Sequence, residues 1–217
     1  YVYTIWVGGM IAWPLKFLYS FKLVYAFMDS GLSSIYKGFK HPLKNERLPI
    51  KKADVIDFLS ESLYTNVKQK VKLNKKTKIA LSPCSFKDYS SIIPEKNKEN
   101  KVVFCSRLTP IKNPMLFLKA VKEFNRAYSD ISKNVKFEVL GDGTCMSDLK
   151  KYQQTNNLNN VIFRGQVQNP YQYMKKAKVF VSIQQTNNYP SQSLLEAMAC
   201  ENAIIASDVG ETRKLIT

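Results

Sequence analysis

Histidine is nearly absent from this 217-residue chain, with His41 its only example. The four cysteines, Cys84, Cys105, Cys145 and Cys200, stand far apart and form no C-x-x-C pair. No zinc-ligand set can be assembled from them, so no metal site is expected. They read instead as small buried residues of a reducing compartment. Acidic residues are scarce, 17 against 33 Lys and Arg, which leaves a net charge of +16. So basic a chain attracts phosphates, anionic lipid surfaces or nucleic acid. The densest basic run is Lys68, Lys70, Lys72, Lys75, Lys76 and Lys78. No aromatic residue interleaves with it and no recognition motif accompanies it, so nucleic acid is set aside. The run reads as a solvated helix end and loop, or as a membrane-surface patch. Long apolar stretches are also missing. Within the apolar segment 1–28, the longest uncharged run, residues 1–15, is too short to span a bilayer and contains Gly8 and Gly9. It lacks the basic start and cleavage site of a signal peptide. Neither G-x-x-x-x-G-K-[ST] nor G-x-G-x-x-G occurs, which removes phosphate-loop NTPases and dinucleotide fingerprints. Both ends are abrupt: the first residues lie in an apolar run without Met, and the last lie in an expected helix. The chain reads as a fragment of a longer one.

What is present is alternation. In the second half, short apolar runs at 102–106, 135–140, 161–163, 179–183 and 203–206 read as strands. Between them, 114–128, 144–156, 171–176, 191–200 and 211 onward read as helices. Phe117, Val121, Phe124 and Tyr128 fall on one face of the first, and Pro114 suits its first turn. Repeated β-α units predict an α/β fold with a doubly wound parallel sheet. The first half is less regular. Residues 1–28 read as strand, loop, helix and strand; 53–59 and 78–81 as strands; and 60–70 as a helix. The polar composition of 91–101 suits a linker. The expected division is 1–90, the linker 91–101, and a second domain over 102–217.

Ligands of open α/β sheets bind at the carboxyl ends of the strands. After 102–106 come Arg107 and Lys112, two fixed cations on a loop entering a helix, a pairing suited to a diphosphate. After 135–140 come Gly141, Asp142 and Gly143, which let backbone approach a ligand closely or form an ordinary turn. After 161–163 come Arg164, Gly165, Gln166 and Val167, a loop able to hold a nucleobase through backbone groups. After 179–183 the chain reaches a helix start at Ser191, Gln192 and Ser193, a further anion site. Glu196 follows in that helix's first turns. It either complements the helix dipole or a salt bridge, or accepts hydrogen bonds from two ribose hydroxyls.

The ordered motifs SRLTPIK, LGDG, VIFRGQV, NNYPSQSLLEAMAC and AIIASDVGET resemble the retaining glycosyltransferase family 4. Each alone is common, but five in order are specific. The resemblance covers about residues 50–217 and is densest from 102. It implies the GT-B fold, two Rossmann-like domains, here the last part of an acceptor-side domain and a truncated donor-side one. It implies transfer of a sugar from a UDP-, GDP- or ADP-sugar to a glycan or lipid-linked saccharide, as in polysaccharide or cell-envelope glycan synthesis, without metal or cofactor. By position, Arg107 and Lys112 match the pair that grips the donor diphosphate. Glu196 matches the second glutamate of a two-glutamate motif and holds the ribose. Gly141, Gln166 and Val167 lie in the nucleobase region, and Ser191, Gln192 and Ser193 at the phosphates and sugar.

One position departs from that pattern. The motif's first glutamate, eight residues before Glu196, is Asn188, with Asn187 beside it. Asparagine can hydrogen-bond a sugar but brings no negative charge to a developing oxocarbenium ion. A non-catalytic relative that binds nucleotide or glycan as a partner subunit is therefore the alternative. The family's catalytic base and acceptor loop are expected upstream of Tyr1, so no catalytic residue is assigned. Asp29, Ser30 and Gly31 follow an expected strand and could border the cleft; His41 reads as a loop residue. The expected location is cytoplasmic, peripheral at the inner face of an anionic membrane.

Overall fold

A computed structural model describes residues 1–5, 7–27, 47–82 and 88–216. His41, Cys84 and the stretch from Asp29 to Ser34 lie outside the described residues. The chain forms two compact units: Tyr1–Cys84 with Asn187–Tyr189, and Ser85–Thr186 with Pro190–Thr217.

The first unit carries β1 (Val2–Ile5), α1 (Val7–Leu15), β2 (Leu23–Phe27), α2 (Arg47–Lys52), β3 (Val55–Phe58), α3 (Glu61–Lys70) and β4 (Lys78–Leu81). Its strands form one parallel sheet in the order β1-β2-β3-β4. The core gathers Tyr25, Phe27, Ile50, Ile56, Phe58, Leu63 and Val67, with Phe27 and Phe58 stacked at 5.1 Å. α3 starts at Ser60, whose hydroxyl accepts from the Leu63 N–H. The sequence reading missed α2, a single short turn region with Pro49 inside it. Lys68, Lys72, Lys75, Lys76 and Lys78 are all exposed, along the end of α3 and the turn into β4. Exposure suits both readings of the basic run, a solvated helix end or a membrane-surface patch.

The second unit carries β5 (Glu99–Cys105), α4 (Pro114–Ala127), α5 (Ser129–Ser132), β6 (Lys136–Leu140), α6 (Met146–Thr155), β7 (Val161–Gly165), α7 (Tyr171–Met174), β8 (Ala177–Ser182), α8 (Gln192–Ala199) and β9 (Ala203–Ala206). All five strands are parallel, in the order β7-β6-β5-β8-β9. Alternation along the strands divides the apolar side chains between two faces. On one face Phe104, Phe137 and Val139 meet Phe117, Leu118 and Val121 of α4 and Leu149 of α6. On the other, Val103, Leu140 and Phe180 meet Met174 of α7 and Leu194 and Ala197 of α8. Helices on both faces are what a doubly wound sheet requires.

Three sequence expectations are corrected. Residues 99–101, read as the end of a linker, are the first residues of β5, because their backbone is already paired with β8 and β6. Ile92, also within the expected linker, is buried in the second unit's core. α4 ends at Ala127, and Tyr128 caps it in a non-helical conformation (φ −131°), 56% exposed with its ring 5.4 Å from that of Phe124. Beyond Glu211 a single 3-10 turn, Thr212–Lys214, stands where a helix was expected.

Gly141 follows β6 with φ +122°, and a Cβ there would overlap the Ser106 carbonyl oxygen. Both the conformation and the contact demand glycine. Gly141→Ala should therefore cost about 2–3 kcal/mol of stability; thermal and urea unfolding of the variant beside the parent measure it.

Candidate functional site

The strand order fixes where the second unit can hold a ligand. From β5 the chain crosses through α4 to β6 on one side; from β8 it crosses through α8 to β9 on the other. Loops leaving two adjacent strands in opposite directions cannot cover the gap between them, so a crevice opens at their carboxyl ends. The β5–α4 loop carries Arg107 and Lys112, and the β8–α8 loop leads to Ser191, Gln192, Ser193 and Glu196. Topology thus brings the diphosphate, phosphate-loop and ribose candidates to one place.

The β5–α4 loop is held on both sides. Leu108, fully buried, donates its N–H to the Asp142 carbonyl (2.8 Å) and accepts from the Cys145 N–H (2.9 Å). The close approach that Gly141 and Gly143 permit is therefore to the protein's own Ser106 and Leu108 carbonyls. Arg107, between these anchors, is exposed. Lys112 ends a 3-10 turn, Pro110–Lys112, and the left-handed Asn113 (φ 48°) redirects the chain into α4. Half-buried, Lys112 donates from Nζ to Oε1 of Gln184 at 3.0 Å. Gln184 is buried, and its N–H donates to the Ser207 hydroxyl (2.8 Å). The neighbouring Gln185 donates its N–H to the Ile111 carbonyl (2.9 Å) and Nε2 to Oδ1 of Asn113 (2.9 Å). Three hydrogen bonds join the two loops that flank the crevice.

Glu196 is 9% exposed, one turn into α8. Its charge bears on Cys105, the last residue of β5, whose thiol is pushed up to about 12, chiefly by burial and secondarily by Glu196. A carboxylate buried beside the end of β5, on a helix that starts at the crevice, is placed to accept hydrogen bonds from a ligand there. The buried Ser191 precedes α8, and its side chain makes no capping bond to that helix; its Oγ lies 3.3 Å from the Ser193 hydroxyl. The first N–H groups of a helix have no partner within it and carry its positive end.

The nucleobase candidates lie one strand pair away. Gly165 closes β7 with φ +67°, and its carbonyl accepts from the Gly141 N–H (2.7 Å). Gln166 is exposed in the turn after it, and Val167 packs half-buried against the core shared with α7 and α8. Asn188 is exposed and belongs with the first unit, in Asn187–Tyr189. Sequence reasoning missed Gln184, an uncharged residue without a motif of its own. It also missed the segment before β5. Tyr89 donates its hydroxyl to Oε1 of Gln192 (2.8 Å) at one end of α8, and Lys98 donates Nζ to the Cys200 (2.5 Å) and Glu201 (2.8 Å) carbonyls at the other.

Residues 99–217 match the family model described as "Glycosyl transferases group 1". The chain belongs to the group 1 glycosyl transferases. Two curated relatives of this group 1 chain come from Campylobacter jejuni. One, the GalNAc-alpha-(1->4)-GalNAc-alpha-(1->3)-diNAcBac-PP-undecaprenol alpha-1,4-N-acetyl-D-galactosaminyltransferase, is 34% identical over 61% of this chain and 36% of the relative. The other, an N-acetylgalactosamine-N,N'-diacetylbacillosaminyl-diphospho-undecaprenol 4-alpha-N-acetylgalactosaminyltransferase, is 29% identical over 51% of this chain and 28% of the relative. The chain spans about a third of the length of these curated relatives. Among solved structures, Anabaena Alr3699/HepE in complex with UDP superposes with a TM-score of 0.80 at 17% identity, over 100% of this chain and 62% of that one. An S. aureus TarM variant in complex with fondaparinux, alpha-GlcNAc-glycerol and UDP gives 0.70 at 19%, over 97% and 42%. The fold is of the GT-B type that the sequence led us to expect.

The raised Cys105 thiol has a measurable sign. In the unfolded chain a thiol loses its proton near 9, whereas the folded protein keeps this one to about 12. Above pH 9 the folded state binds the extra proton, so stability falls as pH rises from 9 towards 12, by up to about 1.4 kcal/mol per unit from this group. Urea titrations across that range should show the slope, and Cys105→Ala should remove its share.

Proposed function

We propose that this group 1 chain holds the donor of a retaining, metal-independent glycosyltransferase of family 4, which moves a sugar from a nucleotide-diphosphate sugar to a glycan or lipid-linked saccharide. The observation that carries this reading is the crevice between β5 and β8. A loop with Arg107 and Lys112 is hydrogen-bonded there to the loop that leads into α8 and the buried Glu196. When the bond from the sugar to the diphosphate breaks, negative charge grows on the leaving phosphate. Arg107 and Lys112 supply fixed positive charge for it, and the amino end of α8 adds its partial charge. Gln184, whose backbone N–H donates to the Ser207 hydroxyl, accepts from the Lys112 ammonium through its side-chain oxygen and keeps it at the crevice. Glu196 takes the ribose hydroxyls, and the turn at Gln166 and Val167 takes the base. Residues 102–217 act as the donor domain, and the first unit belongs to the acceptor side.

UDP in the HepE and TarM complexes supports a UDP-sugar. The Campylobacter relatives, named for undecaprenol-diphosphate-linked saccharides, support a lipid-linked acceptor. No helix among the described residues is long and apolar enough to cross a membrane. Peripheral contact with an anionic inner membrane face is supported instead by Phe17, Leu18 and Tyr19, exposed just after α1, and by exposed Lys22, Lys51 and Lys52 in the same unit. Lys52 Nζ sits 5.9 Å from the centre of the Phe17 ring. Exposed aromatic and aliphatic tips with a lysine against them suit an anionic lipid interface. A non-catalytic nucleotide-binding partner is the second reading, favoured by Asn188 in place of an acidic residue.

Calorimetric titration of the intact protein with UDP-, GDP- and ADP-sugars tests the donor site. We expect one donor class to bind, and Arg107→Ala and Lys112→Ala each to weaken it by about 10–100-fold, the cost of losing a charged hydrogen bond. Binding to no donor, or unchanged binding in both variants, overturns the reading. A donor that binds and is neither hydrolysed nor transferred to any acceptor decides for the second. Co-sedimentation with phosphatidylglycerol vesicles at low salt should retain the protein and lose it on joint Phe17→Ser and Leu18→Ser substitution.

A further inference from the structure

Glu138 is the feature that donor binding leaves without a role. It is 1% exposed in the middle of β6, on the sheet face it shares with Val103 and Leu140. One oxygen, Oε1, accepts from Arg164 at 2.6 Å and lies 3.7 Å from Lys101 Nζ. The other, Oε2, is buried without a hydrogen-bond partner. Lys101 is also buried and has a second acidic neighbour, Glu99, at 3.2 Å. Burying such a group is costly, and an apolar side chain in its place is often as stable or more so. Stability alone gives no reason for a carboxylate here.

Its short partner suggests one. Along β6 and β7, Val139 faces Phe163 but Leu140 faces Gly165, so Arg164 is an extra residue in the β7 ladder. Such a bulge bends the strand and re-aims the chain beyond it. Immediately beyond it lies Gly165, with positive φ and its carbonyl on the Gly141 N–H, and then the turn of Gln166 and Val167. The Arg164 guanidinium also lies 5.7 Å from the centre of the ring of Tyr173, on α7 at the far side of that turn. One side chain therefore reaches both flanks of the turn, and Glu138 fixes it from beneath.

We propose that Arg164 and Glu138 are positioning residues that set the β7–α7 turn so that its backbone reads the nucleobase edge of a nucleoside diphosphate. This rests on the donor-site reading. Neither residue touches the reacting atoms; they act on base recognition through Gly165, Gln166 and Val167. The pair contributes nothing to the grip on the diphosphate, which belongs to the β5–α4 and β8–α8 loops.

That separation makes the test. The intact protein and its E138Q, R164K and joint E138L/R164L variants are titrated with UDP, GDP, ADP and inorganic diphosphate, with thermal unfolding of each alongside. In E138L/R164L and E138Q, affinity for the preferred nucleoside diphosphate should fall about tenfold. Discrimination among bases should narrow, and diphosphate affinity should stay unchanged. R164K, which keeps the charge, should recover part of the loss. Nucleotide and diphosphate affinities falling together would mark a merely structural role and overturn the proposal. So would folded variants with wild-type nucleotide affinity and base preference. Should E138L/R164L fail to fold, the near-isosteric E138Q decides by the same comparison. A wild-type protein that binds no nucleoside diphosphate fails at the donor-site reading, a separate and earlier outcome, and the proposal falls with it.

Discussion

The switch in crossover side between the parallel neighbours β5 and β8 governs the second unit. Every strand runs the same way, so the loop after each strand emerges at one edge of the sheet. Only where neighbouring strands send their crossovers to opposite sides do two loops part and leave room for a ligand. Lys112, Gln184, Gln185 and Asn113 then tie the parted loops together at the crevice floor. Their hydrogen bonds convert a gap imposed by topology into a site with fixed walls. Arg107 stays exposed beside the buried Leu108, and Glu196 stays buried on α8.

Most of this architecture was legible in the sequence because periodicity is a burial signal. Apolar runs at β6, β8 and β9 alternate with helices whose inward positions recur every three or four residues. The order of the loop motifs carried the site, since each comes directly after a strand. The sequence could not show what depends on side chains meeting across long separations. Lys112 and Gln184 are 72 residues apart, Tyr89 and Gln192 are 103 apart, and no local pattern links either pair. Glu138 looked like any polar residue in a strand; only the sheet register reveals that it is buried beneath a bulge. The boundary at 91–101 misled for a related reason. Lysines and glutamates resemble a linker, yet Lys101 and Glu99 pair with each other while their backbones join the sheet.

Membership of the group 1 glycosyl transferases and the GT-B fold converge from independent directions, one from sequence similarity over residues 99–217 and one from shape. On the proposed donor-site reading, Asn188 stands where the family's motif would have an acidic residue. An amide can orient a sugar hydroxyl as donor or acceptor. On that same reading, charge complementarity at the crevice rests on the proposed diphosphate side, with Arg107, Lys112 and the amino end of α8.

The clasp of Tyr89 and Lys98 on α8 also has a mechanical meaning. An eight-residue helix is about 12 Å long. A displacement of about 0.5 Å at one unsupported end would tilt such a rod by about 2–3°, enough to spoil an aligned donor group. With a bond at each end, to Gln192 and to the Cys200 and Glu201 carbonyls, neither end can swing alone. Angular play is traded for rigid-body translation, and the carboxylate of Glu196 keeps its aim when the helix moves.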